Sequence, residues 1–311
     1  MRTDDGVPVF VEQIPPKDGP APGTVPLVLL HGLSQQRHYW NPVIRRLPHR
    51  SFVVLDQRGH GQAATDDVTA ESDFSIDRLA QDVAQVLETL EIEQAIIVGH
   101  SWGASVALRT AARYPQMVRS QVLIDGGLFG PRHLTSDALT AAQVREALRP
   151  PPLGLLEPAL WQAISGGDLS PYWSSEVQAA LAPTFRVDDA GRAFTNLGMD
   201  RHMAVLDGLI AYDPAPDIAA VGAPSWVVSC EPRGYDTTDA SLAQDSVAED
   251  DAIGRAWALA RNRSLADLPR PFFVQRWAGA LHDVPLQWPA LVAGLLETVA
   301  ERIEPPREEV S

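Results

Sequence analysis

The chain has 311 residues, 45% of them hydrophobic and 21% charged, which is ordinary globular usage and enough for a substantial core. Its formal net charge of −15 argues against nucleic acid and anionic membrane surfaces as partners, because phosphate binding needs clustered Lys and Arg. Cys230 is the only cysteine, which excludes an intrachain disulfide and a cysteine-based zinc site. The acidic start Met1-Arg2-Thr3-Asp4-Asp5 leads into no apolar signal core, and no stretch has the length of a membrane span, so a soluble cytoplasmic protein is expected.

Short apolar runs predict strands over 7–12, 26–30, 52–55, 95–98, 121–124, 225–230 and 272–277. Helix-period segments alternate with them, the pattern of a mostly parallel sheet covered by helices. The clearest helix follows Ser75, a plausible N-cap, with apolar residues Ile76, Leu79, Ala80, Val83, Val86, Leu87 and Leu90 on one face. From 128 to 214 the alternation breaks: helical stretches are interrupted by Pro150-Pro151-Pro152, Ser165-Gly166-Gly167 and Asp188-Asp189-Ala190-Gly191, with no buried-strand run. That segment reads as an inserted helical cap, leaving 1–127 and 215–311 as the core domain. Residues 235–251 carry six acidic residues and no basic one, the composition of a solvated loop, and a helix over 253–265 leads to the last strand.

Gly99-His100-Ser101-Trp102-Gly103 follows the run Ala95-Ile96-Ile97-Val98 and opens an Ala-rich helical stretch. This strand–turn–helix context is what a nucleophile elbow requires: the glycines allow a turn in which larger side chains would clash, and Ser101 stands exposed near the positive end of the following helix. An acyl-transfer enzyme must also stabilise an oxyanion, usually with two backbone N–H donors. Leu33, in His31-Gly32-Leu33 after the second strand, supplies one candidate, and Trp102 the other. Among eight histidines, only His282 combines a strand end, a flexible Gly279-Ala280 approach and a position after the nucleophile. Imidazole titrates near neutrality, so it takes and returns a proton readily.

In this order the motifs resemble the α/β-hydrolase fold family, over nearly the whole chain. Asp56-Gln57-Arg58-Gly59-His60-Gly61 matches a turn common in that family, where it is structural. The resemblance implies an α/β fold with a mostly parallel eight-stranded sheet, helices on both faces and an inserted cap. It also implies a triad in the order serine, acid, histidine. The usual acid follows the seventh strand, but Arg233 in Cys230-Glu231-Pro232-Arg233-Gly234-Tyr235-Asp236 stands about where an Asp is expected. Asp125, ending the sixth strand in Leu123-Ile124-Asp125-Gly126-Gly127, is favoured instead, as in haloalkane dehalogenase-like branches; Asp236 and Glu231 stay as alternatives.

Because the elbow residue is Ser and not Asp, the resemblance implies ester hydrolysis through an acyl-enzyme and not dehalogenase or epoxide-hydrolase chemistry. The expected substrate is a small, largely apolar ester, lactone or related acyl compound, with no cofactor and no metal. Pocket candidates are His31, Phe129, Trp161, Tyr172, Trp173 and Met203, although packing within the cap is the readier explanation of the cap residues among them. His202 beside Arg201 either orients a polar substrate group or forms a surface pair. Two other readings keep the fold: hydrolysis of a carbon–carbon bond or perhydrolysis on the same triad, and a small-molecule receptor with slow turnover.

Overall fold

A computed structural model describes residues 1–19, 23–134, 140–150, 154–231, 252–266 and 268–304. All seven apolar runs are strands of one sheet, formed by β1 (Phe10–Ile14), β2 (Leu27–Leu30), β3 (Phe52–Asp56), β4 (Ala95–His100), β5 (Val118–Ile124), β8 (Ser225–Glu231) and β9 (Phe272–Ala278). The strand order is β1-β3-β2-β4-β5-β8-β9, with every neighbouring pair parallel except β1–β3. The family resemblance implied eight strands, whereas the main sheet has seven among the described residues. The reason lies at the N-terminus: Gly6, at φ +81°, turns the chain back on itself, and residues 2–8 close through a single Arg2–Pro8 bridge instead of a second strand beside β1.

The central strands are buried on both faces, which is why they read as unbroken apolar runs. Alternate residues serve alternate layers. Leu27, Leu29, Val54, Ile96, Val98 and Ile124 pack with Tyr39, Trp40 and the helix Pro289–Ile303. Val28, Leu30, Val53, Leu55, Ile97 and Leu123 pack on the other side, against the helices Ile76–Thr89 and Trp102–Arg113. Each such side chain contributes roughly 1.5–3 kcal/mol by leaving water. Ser75 caps its helix as expected, its Oγ accepting the Arg78 N–H at 3.2 Å. The Asp56–Gly61 turn is a structural knot: Asp56 accepts from the Arg37 backbone and guanidinium, and Arg58 forks onto Asp82.

Between β5 and β8 the chain forms the helices Ala141–Ala147, Glu157–Ser165, Ser175–Leu181 and Met199–Ala211. A hairpin of β6 (Phe185–Val187) and β7 (Ala193–Thr195) stands among them, with Asp188-Asp189-Ala190-Gly191 as its turn. The sequence predicted no strand there, because three-residue strands carry too little periodicity to register. The helix Ala252–Ala266 matches the one expected before the last strand, while the acidic stretch 235–251 lies outside the described residues. Among the described residues, no helix is long and apolar enough to cross a membrane. The carboxyl ends of β2, β4, β5 and β8 are adjacent, and open parallel sheets place ligand sites along that edge.

Candidate active site

Ser101 follows the central strand β4 with φ 55° and ψ −119°, a conformation a non-glycine residue adopts only at a cost of roughly 1–3 kcal/mol. Neighbouring contacts hold it there. The Ser101 N–H donates to the Ile124 carbonyl of β5 at 2.8 Å, tying the elbow to the adjacent strand. The glycines on either side are dictated by space: a Cβ on Gly99 would sit 2.2 Å from the Gly103 carbonyl oxygen, and one on Gly103 would sit 2.4 Å from that of Leu30. The strand and helix therefore approach closely enough to thrust the Ser101 side chain outward.

His282 follows β9 and meets that side chain. Its Nε2 lies 2.9 Å from Ser101 Oγ, and its Nδ1 lies 2.6 Å from Asp125 Oδ2. An ionised carboxylate only accepts, so Nδ1 carries the proton and Nε2 presents a lone pair to the serine. Asp125 has a φ of 48°, its N–H donates to Val228 O at 2.8 Å, and its second oxygen accepts the Cys230 N–H at 3.0 Å. Both carboxylate oxygens are thus engaged. Burial is the largest single influence on the His282 pKa and pulls it down. The Asp125 hydrogen bond and charge, with Asp283 behind them, raise it above the ordinary histidine value.

Of the two alternative acids, only Glu231 is described, and it does not compete. Glu231 ends β8 and takes Arg276 at 2.7 Å, away from His282, whose Nδ1 is already occupied. Asp236 lies outside the described residues.

The His282 loop is braced by residues to which the sequence reading gave no part. His100 turns away from the serine, and its Nε2–H donates to the His282 carbonyl at 2.7 Å. Its ring stacks on Tyr39 with centroids 5.1 Å apart, and the Tyr39 hydroxyl and Gln35 amide both donate to Asp283, at 3.0 and 2.9 Å. Gln287 closes the loop from below, accepting from Leu281 N–H at 2.7 Å and donating to Gly279 O at 3.0 Å. Burial, followed by the nearby His282 charge, pushes the His100 pKa down to about 4, so this brace is a neutral imidazole.

Leu33 and Trp102 border the same cavity as Ser101 and His282. Trp102 is the first residue of its helix, so its N–H has no intrahelical acceptor, and among the described residues the Leu33 N–H makes no hydrogen bond. The cavity holds about 720 Å³, within the usual ligand-pocket range. Its apolar wall comes from Pro131, Leu148, Leu206, Leu209 and Trp257, and its other polar groups are Ser34, His202 and Arg261. His202 shares a 2.7 Å hydrogen bond with Ser34 Oγ, and burial lowers its pKa to about 4, so it too is neutral.

None of the six residues expected to line the pocket does so. His31 is fully buried, donating from Nδ1 to Gly32 O and accepting the Gln57 N–H at Nε2; it shapes the loop beneath Leu33. Phe129 is buried and packs edge-on against Trp257, which takes the wall position instead. Trp161 pairs with Trp173 and Phe185 in a cluster of their own, and Tyr172 ends the short turn Ser170–Tyr172. Met203 is buried on the helix Met199–Ala211, whose cavity face is His202, Leu206 and Leu209 at the i, i+4, i+7 spacing. Met203 was expected for its long apolar side chain, but the phase of its helix turns it from the cavity. Among the described residues, no group of three or more His, Cys, Asp or Glu is placed to hold a metal ion.

Residues 25–165 match the family model described as alpha/beta hydrolase fold. A 125-residue stretch is 37% identical to the 2-(acetamidomethylene)succinate hydrolase of Mesorhizobium japonicum, a match spanning 40% of this chain and only 42% of that relative's length. A crystal structure of E-2-(acetamidomethylene)succinate hydrolase superposes with a TM-score of 0.64 at 24% identity, over 93% of this chain and 94% of the other. Est816, described as an N-acyl homoserine lactone degrading enzyme, superposes with a TM-score of 0.62 at 19% identity, over 96% and 98%. With the match over residues 25–165, the sheet order and these superpositions in agreement, the chain has the α/β-hydrolase fold.

Proposed function

We propose that the protein is a serine hydrolase that cleaves a small ester, lactone or related acyl compound through an acyl-enzyme on Ser101. The observation that carries this reading is the relay from Ser101 Oγ to His282 Nε2 at 2.9 Å and from His282 Nδ1 to Asp125 at 2.6 Å. His282 takes the Ser101 proton as Oγ attacks the acyl carbon. Asp125 fixes the tautomer and stabilises the imidazolium that forms. The developing oxyanion is met by the N–H groups of Leu33 and Trp102. Collapse breaks the acyl–oxygen bond, the departing alcohol leaves with the proton from His282, and water, deprotonated by the same imidazole, releases the acid.

Residues 128–214 act in this reading as a cap over the site, since Pro131, Leu148, His202, Leu206 and Leu209 all border the cavity. The apolar wall suits the carbon skeleton of the substrate. The names of the matched relatives, a hydrolase of an acetamido-bearing succinate and a lactone-degrading enzyme, agree with acyl transfer to water. The test is covalent labelling by a fluorophosphonate, followed by turnover on esters, lactones and diketones. Ser101→Ala is expected to abolish labelling, and labelling that persists would remove Ser101 from the role.

A further inference from the structure

Five arginines are buried among the described residues: Arg37, Arg50, Arg58, Arg78 and Arg261. The first four each face two or more carboxylates, as Arg37 does with Glu12 and Asp56 and Arg50 with Glu297 and Glu304. Arg261 differs. It is 5% exposed, on the helix Ala252–Ala266, and among the described residues no Asp or Glu lies within ion-pair distance. Its Nη1 donates to the Cys230 carbonyl at 2.7 Å, and its Nε is buried with no partner. A guanidinium out of water is costly unless an anion and hydrogen bonds offset the loss. This one borders the cavity that holds Ser101 and His282.

Among the described residues, Asp125 is the only carboxylate bordering that cavity, and its two oxygens are committed to His282 and to the Cys230 N–H. His202 is held neutral and bonded to Ser34, so it neither repels nor attracts an anion strongly. Among the described residues, the cavity therefore presents one arginine without a carboxylate partner, set beside its apolar wall. One cation with a planar fork matches a single carboxylate, which it can hold through two parallel bonds, better than a phosphate dianion.

We propose, resting on the reading of Ser101 as nucleophile, that Arg261 receives a carboxylate of the substrate. The preferred substrates are then acyl compounds that carry a free carboxylate on an apolar skeleton, such as half-esters of dicarboxylic acids. The test compares kcat/KM for 4-nitrophenyl half-esters of six- to eight-carbon dicarboxylic acids with that for their methyl-capped, uncharged counterparts. The wild type favours the anionic member at one chain length or more. Arg261→Gln lowers that preference ratio by about tenfold to a hundredfold, the range for a hydrogen bond to a charged group, and Arg261→Lys retains part of it. Protection supplies a measurement that needs no variant: adipate slows fluorophosphonate labelling of the wild type, and adipamide does not. A wild type indifferent to the carboxylate at every length, equal protection by adipate and adipamide, or an Arg261→Gln variant with an unchanged ratio would overturn the proposal. Any of these with Ser101 still labelled leaves the serine mechanism standing, whereas labelling that survives Ser101→Ala removes the mechanism itself.

Discussion

Replacing Asp125 by Asn changes one atom, and the structure says which way the new amide must face. The Cys230 N–H, fixed in β8, donates to one carboxylate oxygen at 3.0 Å, while His282 Nδ1 stands 2.6 Å from the other. An amide has one acceptor and one donor. Keeping the β8 hydrogen bond satisfied requires the carbonyl oxygen on the Cys230 side, so the NH₂ group faces Nδ1. His282 must then accept at Nδ1 and carry its proton on Nε2, which points an N–H at Ser101 Oγ, 2.9 Å away. That tautomer cannot take the serine proton. The expected loss in kcat is on the order of 10⁴, about 5.4 kcal/mol of barrier. Volume and burial are conserved, so the circular dichroism spectrum and the unfolding midpoint change little. The assay is turnover of a short-chain 4-nitrophenyl ester, with the fluorophosphonate labelling rate falling in parallel. Glu231→Gln is the contrasting variant: it breaks the 2.7 Å pair with Arg276 and should stay within about tenfold of wild type, since nothing in the relay touches it. An Asp125→Asn enzyme within tenfold of wild type would refute the tautomer argument, and a severe loss in Glu231→Gln would move the acid to β8.

Two pH dependences follow from the histidines and run through different groups. Catalysis needs neutral His282, whose pKa is raised above 6.5 by Asp125, so kcat/KM is expected to fall on the acid side with a midpoint above 6.5; a midpoint below that value would contradict the ion pair. Stability responds to His100, which burial holds unprotonated down to about 4 in the folded protein, while the unfolded chain binds the proton from about 6.5 downward. The unfolded state then carries more protons, and His100 alone removes about 3 kcal/mol of unfolding free energy as the pH falls through that window. Denaturant midpoints measured from pH 7 to 4 check this, and a flat profile would refute it.

The frame of the fold was readable because fully buried parallel strands have no polar face to disguise them: Leu27–Leu30 and Ala95–His100 are apolar runs in sequence for the reason that both their faces are covered. The elbow was readable because Gly99 and Gly103 are imposed by backbone contacts that tolerate no Cβ. The eighth strand came from the resemblance alone, since the apolar runs numbered seven, as the sheet does. What escaped was anything that depends on helical phase or on contacts distant in sequence. The cavity face of Met199–Ala211 is set by how that helix lies on the core, so His202 and Leu209 line the site while Met203 does not. The brace on His282 joins residues 35, 39, 100, 283 and 287, and no local pattern could have assembled it.

Cys230 joins the two halves of the proposed site through one residue's backbone: its N–H holds Asp125 and its carbonyl holds Arg261. The two contacts nevertheless act at different moments, which gives them separable kinetic signatures. Asp125 matters when His282 becomes an imidazolium, so its interaction strengthens only as the transition state forms, and its loss falls on kcat. A substrate carboxylate on Arg261 is bound before the proton moves and is unchanged while it moves. Binding of that kind stabilises ground state and transition state alike, and its removal raises KM more than it lowers kcat. For the anionic half-esters, Arg261→Gln is therefore expected to shift KM by most of the tenfold-to-hundredfold change, whereas Asp125→Asn leaves KM near its starting value. A loss in Arg261→Gln that fell chiefly on kcat would mean that the guanidinium acts by positioning the Cys230 backbone, and through it Asp125, and not by holding substrate.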